Sequence, residues 1–183
     1  MRRKIFLTFI KISAKNIINV KNIDYHIRMV AMKKFRIYAD TSVFGGCFDD
    51  EFSKESKSFF EDIKSGKFIV VISATTLREI NNAPDYVQRI LAELPPEMVE
   101  VIEYSEEIGN LRDAYLKAGV VGPASKFDAE HIAVSSVAEV DFAVSWNFKH
   151  IVHYEKISGY QAVNLLNGYK PIHIYSPKEV IEQ

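Results

Sequence analysis

The chain has 183 residues, 48% of them hydrophobic and 26% charged, which is typical of one compact globular domain and excludes a long disordered chain. Its single cysteine, Cys47, excludes an internal disulfide and a cysteine-rich zinc site, and it favours a reducing compartment, the cytoplasm. No apolar run approaches the length of about 18 residues that a transmembrane helix needs, so the sequence predicts no membrane-spanning segment.

Positive charge is concentrated at the amino-terminal end. Residues 1–36 contain ten basic side chains and one acidic side chain, whereas the whole chain has a net charge of −1. We therefore predict a basic extension over residues 1–33 and a domain over residues 34–183. One interpretation makes the extension an arm that contacts nucleic-acid phosphates or the acidic domain. Its weak amphipathic pattern favours the other interpretation, a poorly ordered segment or the product of an upstream translation start.

Strand and helix patterns alternate from residue 34 onward. Phe35–Ala39 alternates in polarity and predicts a first strand, and Glu51–Lys64 has apolar residues at helical spacing before a Ser-Gly stop. Phe68–Ile72 is a continuous apolar and β-branched run, typical of a strand buried on both faces. A capping serine begins a predicted helix over Ser73–Asn82, and a proline begins the next one over Pro84–Leu94.

The second half of the chain continues this alternation. The remaining strand patterns are Met98–Ile102, Phe142–Ser145 and Ile172–Tyr175. The remaining helix patterns are Ser105–Ala118, Phe127–Val137, Tyr154–Leu166 and Pro177–Ile181. Strands separated by helices of this length imply right-handed crossovers and a mainly parallel central sheet with helices on both faces. The sequence therefore predicts an α/β fold, a three-layer α/β/α sandwich.

Three acidic residues are expected at one edge of that sheet. Asp40 follows the first strand, Glu79 lies on the helix after the second strand, and Asp128 lies in the first turn of a later helix. The carboxyl ends of parallel strands and the amino ends of their crossover helices share this edge, where such sheets bind ligands. Converging carboxylates repel one another unless a hard cation binds, and Mg²⁺ and Mn²⁺ prefer oxygen ligands. We predict that Asp40, Glu79 and Asp128 bind Mg²⁺ or Mn²⁺.

A divalent cation at this edge suggests a reaction at phosphorus. Such an ion lowers the pKa of a bound water and neutralises charge in a phosphodiester displacement, which favours a phosphodiester hydrolase. Gly45-Gly46 is too short for a phosphate-binding Walker loop, so nucleoside triphosphate binding is disfavoured. A phosphoaspartyl phosphatase is also disfavoured, because Ser42 stands two residues after Asp40, where that class has a second aspartate.

Four stretches of the sequence resemble, in order and spacing, the PIN-domain family. They are IYADTSVF at 37–44, LREI at 77–80, DAEHIA at 128–133 and FAVSWNFKHI at 142–151, and together they span about residues 35–176. The resemblance implies an α/β/α sandwich and Mg²⁺- or Mn²⁺-dependent endoribonuclease activity. Many members similar to this sequence are the toxin component of a toxin–antitoxin pair, held inactive by a small antitoxin protein that occupies the groove, and similar domains often form homodimers.

The resemblance also assigns roles to individual residues. Asp40, Glu79 and Asp128 match the first three metal-site acids of the family, and Ser145 matches the Ser or Thr two positions before the fourth acid. Asn147 stands where the family usually has that fourth acid. Its amide brings no negative charge, so we expect affinity to fall more for a second metal ion than for the first. Ser145 and Asn147 are expected to orient water or a ligand at the catalytic site.

Two further acids could replace the missing charge, but the sequence places both away from the site. Glu130 is two helix positions from Asp128 and therefore points away from its face. Asp141 precedes its strand and is expected at the opposite edge of the sheet. His131 is followed by apolar residues and is expected to be a core or interface histidine whose hydrogen bonds are satisfied.

Several polar and aromatic residues surround the predicted acids. The candidate substrate-binding residues are Thr41, Ser42, Lys149 and His150. The cations that this edge offers to RNA are Arg78, Lys126 and Lys149. Trp146 and Phe148 can stack on exposed bases, although packing against a helix is the more common role of such side chains.

These residues together predict a metal-dependent, single-strand-selective endoribonuclease. The alternative is a PIN-like module that binds RNA or a protein without cutting RNA, because Asn147 leaves the site one acid short. Metal titration separates the two hypotheses. Cleavage of a loop-containing RNA only with added Mn²⁺ supports the enzyme, and binding without cleavage at any metal concentration supports the module.

Overall fold

The computed structural model describes residues 34–181, so the predictions for residues 1–33 lie outside the described residues. Within this range the chain has five strands in one sheet. They are β1 (Phe35–Ala39), β2 (Phe68–Ser73), β3 (Val99–Ile102), β4 (Phe142–Val144) and β5 (Ile174–Tyr175). Neighbouring strands pair in parallel in the order β3-β2-β1-β4-β5, which confirms the predicted parallel sheet.

Eight α-helices of the described residues connect or follow these strands. They are α1 (Thr41–Gly46), α2 (Ser53–Lys64), α3 (Ala74–Asn81), α4 (Asp85–Ala92), α5 (Glu106–Lys117), α6 (Lys126–Val137), α7 (Tyr154–Leu166) and α8 (Pro177–Ile181). The seven helices from α2 to α8 confirm predicted helices to within two residues at each end. In this part of the chain no helix is long and apolar enough to cross a membrane.

One helix is missing from the sequence prediction, and one strand begins two residues later than predicted. Helix α1 is absent from the predicted elements because its six residues end in two glycines and carry no helical periodicity. Val43 and Phe44 of this helix are completely buried, so packing outweighs its low helix propensity. Strand β5 begins at Ile174 rather than at the predicted Ile172, because its partner β4 has only three residues to pair with.

The side chains of the central strand β1 divide the core into two layers. Ile37 and Ala39 pack into a core shared with α1, α2, α3, α4 and α8. Tyr38 points to the opposite face, into a core shared with α5, α6 and α7. Alternate residues of a strand face opposite sides of a sheet, so helices on both faces give a three-layer α/β/α sandwich. The predicted fold class is confirmed.

The strand order places a crevice at the carboxyl end of β1. The chain leaves β1 toward β2 on one side, whereas β4 pairs with the other side of β1. Ligands of open parallel sheets bind at such a reversal of strand order. Asp40 directly follows β1, and Ser145 directly follows β4, so the two residues meet at this crevice.

Candidate active site at the carboxyl edge of the sheet

Asp40 is the most buried of the predicted acids, with an exposed fraction of 5%. Its Oδ1 accepts a hydrogen bond from the Ser42 hydroxyl at 2.5 Å, and its Oδ2 accepts one from the Ser145 hydroxyl at 2.6 Å. Burial raises the pKa of Asp40 because it disfavours the charged form, whereas the nearby His131 and the two hydroxyl donors act in the opposite direction. The carboxylate is thus held in one orientation by a side chain from α1 and a side chain from the loop after β4.

The two serines that donate to Asp40 are themselves fixed by backbone amides. The backbone N–H of Trp146 donates to Ser42 Oγ at 2.9 Å, and the backbone N–H of Asn147 donates to Ser145 Oγ at 2.9 Å. A serine hydroxyl has one O–H donor and can also accept hydrogen bonds. Each of these two hydroxyls accepts a hydrogen bond from a backbone N–H and donates one to the Asp40 carboxylate. The loop after β4 therefore contributes directly to the orientation of Asp40.

Glu79 is connected to this network through the residue that follows Asp40. The Thr41 hydroxyl donates a short hydrogen bond to Glu79 Oε2. His131 Nε2 lies 3.8 Å from the same oxygen. The Glu79 side chain is 37% exposed, so this carboxylate faces solvent more than Asp40 does.

Asp128 joins the network from α6. Its Oδ1 accepts a hydrogen bond from Asn147 Nδ2 at 2.8 Å, while Asn147 Oδ1 accepts one from the His150 backbone N–H at 3.0 Å. A continuous series of hydrogen bonds thus runs from Asp40 through Ser145 and Asn147 to Asp128. The Asn147 amide donates to the neighbouring acid, and its oxygen closes the turn that leads to His150.

Three residues discussed for this edge have structural roles. His131 is buried, as expected of a core histidine, and its Nδ1 lies 2.7 Å from the Tyr38 hydroxyl. Glu130 is buried and accepts hydrogen bonds from Thr75 at 2.6 Å and from Arg112 at 3.0 Å. Asp141 accepts from the backbone N–H of Arg36 at 2.8 Å, near the amino ends of β1 and β4. Glu130 and Asp141 are therefore engaged away from the three predicted acids.

Trp146 and Phe148 differ in how freely they face solvent. Trp146 stacks on Phe52 with ring centroids 4.3 Å apart, and its indole N–H donates to the buried Ser56 hydroxyl at 2.8 Å. Packing against helix α2 is thus its role, whereas the 46% exposed Phe148 remains available to a ligand. The contacts of Phe52 and Ser56 with Trp146 were not predicted, because ninety residues separate Ser56 from Trp146 and no local sequence pattern connects them.

A groove of about 510 Å³ lies beside this aromatic group. Its lining includes Glu51, Phe52, Glu55, Trp146, Phe148, Val152, Ser176, Lys178 and Glu179. Three glutamates against one lysine make the groove acidic. The predicted basic side chains Arg78, Lys126 and Lys149 are exposed and lie outside this lining.

The donor set is chemically suitable for a hard divalent cation, although its spacing is not that of a closed metal site. Carboxylate, hydroxyl and amide oxygens are the ligands that Mg²⁺ and Mn²⁺ take. Among residues 34–181, however, no three His, Cys, Asp or Glu side chains are grouped closely enough to hold a metal ion. Asp40, Glu79 and Asp128 are joined through Thr41, Ser145 and Asn147 instead.

Comparison with known proteins adds no assignment to this geometry. No protein-family model matches the sequence, and no curated protein is significantly similar to it.

Proposed function

We propose that this chain is a PIN-type endoribonuclease that depends on Mg²⁺ or Mn²⁺ and hydrolyses phosphodiester bonds of single-stranded RNA. The observation that carries this proposal is the hydrogen-bonded network at the carboxyl edge of the sheet, which includes Asp40, Asp128, Ser145 and Asn147 and contacts Glu79 through Thr41. These positions are separated by up to 107 residues in the sequence and lie at the edge where parallel sheets bind ligands.

Each residue of the network has a role in this proposal. Asp40, Glu79 and Asp128 hold the cation, which when bound activates water and neutralises charge at phosphorus. Ser42 and Ser145 keep both oxygens of Asp40 in a fixed direction, and Thr41 does the same for Glu79. Lys149 and His150 follow Asn147 on the loop after β4 and contact the phosphate backbone of the substrate.

The biological setting of the proposal rests on the family resemblance. We propose a toxin of a toxin–antitoxin pair in the cytoplasm, which a small antitoxin protein inhibits and which forms homodimers. The acidic groove beside Trp146 and Phe148 supports the binding of a basic protein segment better than the binding of RNA.

A second candidate function is a module that binds RNA or protein without cleavage. The observation that favours it is the orientation of Asn147, whose amide nitrogen rather than an oxygen faces Asp128. In addition, three acidic side chains are not grouped as a metal site within the described residues 34–181.

A cleavage assay with a loop-containing RNA and increasing Mn²⁺ tests the proposal. We expect cleavage only with added metal, and we expect Asp40→Asn to abolish it, because the change removes the charge of the most buried acid while keeping its shape. The matched control is Glu97→Gln, which neutralises an exposed acid two residues before β3, at the opposite edge of the sheet. Circular dichroism verifies that both variants fold.

Two outcomes would contradict the enzymatic proposal. An Asp40→Asn variant that cleaves at the wild-type rate removes Asp40 from the reaction. Binding of the RNA without cleavage at every Mn²⁺ concentration supports the module instead.

A further inference from the structure

Trp146 lies between Ser145 and Asn147 in the chain, and three contacts hold it in place. Its backbone N–H donates to Ser42 Oγ at 2.9 Å, and its indole N–H donates to Ser56 Oγ at 2.8 Å. Its ring lies nearly parallel to Phe52, with an interplanar angle of 18°. Trp146 therefore connects the loop after β4 to both α1 and α2.

Helix α1 leaves just enough space for this indole. A methyl group at Gly46 would lie 2.8 Å from Trp146 Cδ1 and Nε1 and 2.6 Å from Ser56 Oγ, closer than such atoms approach without displacement. The neighbouring Gly45 has no atom within 4 Å of the same added methyl group. A glycine at position 46 is thus required by the indole, whereas a glycine at position 45 is not.

The position of Trp146 determines where its two neighbours can reach. Ser145 donates to Asp40, and Asn147 donates to Asp128, while the Trp146 backbone fixes Ser42 on the other oxygen of Asp40. A displaced indole would shift the backbone of Ser145, Trp146 and Asn147, since these three residues are consecutive in the chain. The orientation of two acids thus depends on a side chain that contacts neither of them through its ring.

We propose that Trp146 is a positioning residue, anchored by Ser56, Phe52 and Gly46, that sets the loop carrying Ser145 and Asn147 and thereby the orientation of Asp40 and Asp128. The anchoring itself is independent of the proposed nuclease function. Its consequence for metal affinity and catalysis rests on that function.

Amide hydrogen exchange measured by NMR tests the anchoring without metal or substrate. In Ser56→Ala and Gly46→Ala we expect the Trp146 and Asn147 amides to exchange about tenfold faster, because losing one net hydrogen bond changes local stability by about that factor. The β1 amides should stay within about twofold of wild type, since local opening does not require global unfolding. The matched control, Gly45→Ala, should leave the Trp146 and Asn147 amides unchanged.

Unchanged exchange at positions 146 and 147 in Ser56→Ala overturns the proposal. Because Gly46→Ala introduces a steric clash, its fold is verified by circular dichroism, and Ser56→Ala decides the result if that variant does not fold. Equal acceleration in Gly45→Ala also overturns it, because that change adds a methyl group in open space.

A Mn²⁺ titration tests the consequence for the site. Trp146 is the single tryptophan of the chain, so its fluorescence reports ion binding next to Asp40 and Asp128. We expect Ser56→Ala to weaken Mn²⁺ binding in this titration. In the RNA cleavage assay we expect the same variant to lower kcat by about tenfold with little change in KM, which separates positioning from substrate contact. Wild-type affinity in that variant overturns the coupling. A wild-type protein that binds no Mn²⁺ overturns the proposed function, while amide exchange still decides the anchoring.

Discussion

Asn147 shows how one atom determines the charge balance between two neighbouring side chains. Its Nδ2 donates to Asp128 Oδ1 at 2.8 Å, a distance at which two carboxylate oxygens repel each other unless a proton or a cation lies between them. The amide therefore stabilises the contact without a metal ion. An amide at this position also brings no negative charge to the site.

The variant Asn147→Asp turns this contact into a repulsive one. In the presence of a chelator we expect it to lower the free energy of unfolding by about 1 kcal/mol, because it replaces one net hydrogen bond of a half-buried pair with a like-charge contact. Added Mn²⁺ should restore part of the loss, because an ion that binds only the folded state stabilises it. Thermal unfolding with chelator and with Mn²⁺ measures both effects.

Asn147→Ala is the matched control for this prediction, since it removes the same hydrogen bond without adding charge. We expect its melting temperature in chelator to fall, and we expect added Mn²⁺ to raise it no more than it raises that of the wild type, whereas Asn147→Asp gains more. A stability of Asn147→Asp in chelator equal to that of wild type would show that the two carboxylates do not approach each other.

At the level of the elements, Glu130 connects three helices through one buried ion pair and one hydrogen bond. Glu130 on α6 accepts from Arg112 on α5 at 3.0 Å and from Thr75 on α3 at 2.6 Å, and both charged residues are buried. Removing Glu130 leaves the buried Arg112 with its 2.9 Å pair to Asp113, a largely exposed acid that compensates the charge only in part. We expect Glu130→Ala to lower the free energy of unfolding by about 3 kcal/mol, as measured by urea denaturation.

An exposed ion pair provides the comparison. Lys170 Nζ lies 2.7 Å from Glu139 Oε2, and both side chains are more than half exposed. Exposed pairs contribute little because water screens them, so Lys170→Ala should leave the denaturation midpoint nearly unchanged. Equal effects of the two substitutions would contradict the assigned role of Glu130.

The sequence predicted the elements with strong periodicity and the edge at which the acids lie. Helix Ser53–Lys64, whose apolar residues recur at helical spacing, begins two residues after its predicted start, and helix Tyr154–Leu166 has its predicted bounds because Gly168 follows its last turn. The positions of Asp40 and Asp128 relative to the sheet follow from the parallel topology. Helix α1 could not be predicted, since its conformation depends on the burial of Val43 and Phe44 rather than on propensity.

The contacts that hold the site could not be predicted from local patterns. Ser56 appears in the sequence as an ordinary polar helix residue, and only the fold brings it to the indole of Trp146. The orientation of the Asn147 amide likewise depends on the His150 backbone and on Asp128, which belongs to another element. Side-chain partners across elements require the packed structure, whereas strand and helix boundaries do not.

For the whole molecule, buried phenols and a buried thiol make stability sensitive to alkaline pH. Burial raises the pKa of Tyr38, Tyr115 and Tyr160, and it raises the pKa of Cys47 to about 11. In the unfolded chain a thiol ionises at about pH 8.5 and a phenol at about pH 10. The unfolded state therefore binds fewer protons than the folded state in this range, and the free energy of unfolding falls as pH rises.

We expect cooperative unfolding in the alkaline range, with phenolate absorbance from the buried tyrosines appearing together with the loss of circular dichroism. A parallel titration in concentrated urea gives the ionisation of all nine tyrosines without the fold. Phenolate absorbance that reaches the same amplitude while the circular dichroism spectrum is still native would contradict the burial of these three phenols.

The central position of β1 has a consequence for synthesis on the ribosome. Ile37 of β1 pairs with Phe142 of β4, so one side of β1 has no neighbouring strand until residue 142 has been translated. Asp40 Oδ2 likewise accepts its hydrogen bond from Ser145, which is translated 105 residues later. A nascent chain halted before residue 145 therefore carries Asp40 and Glu79 but not the assembled crevice, which forms only after the segment that contains Ser145 has been translated.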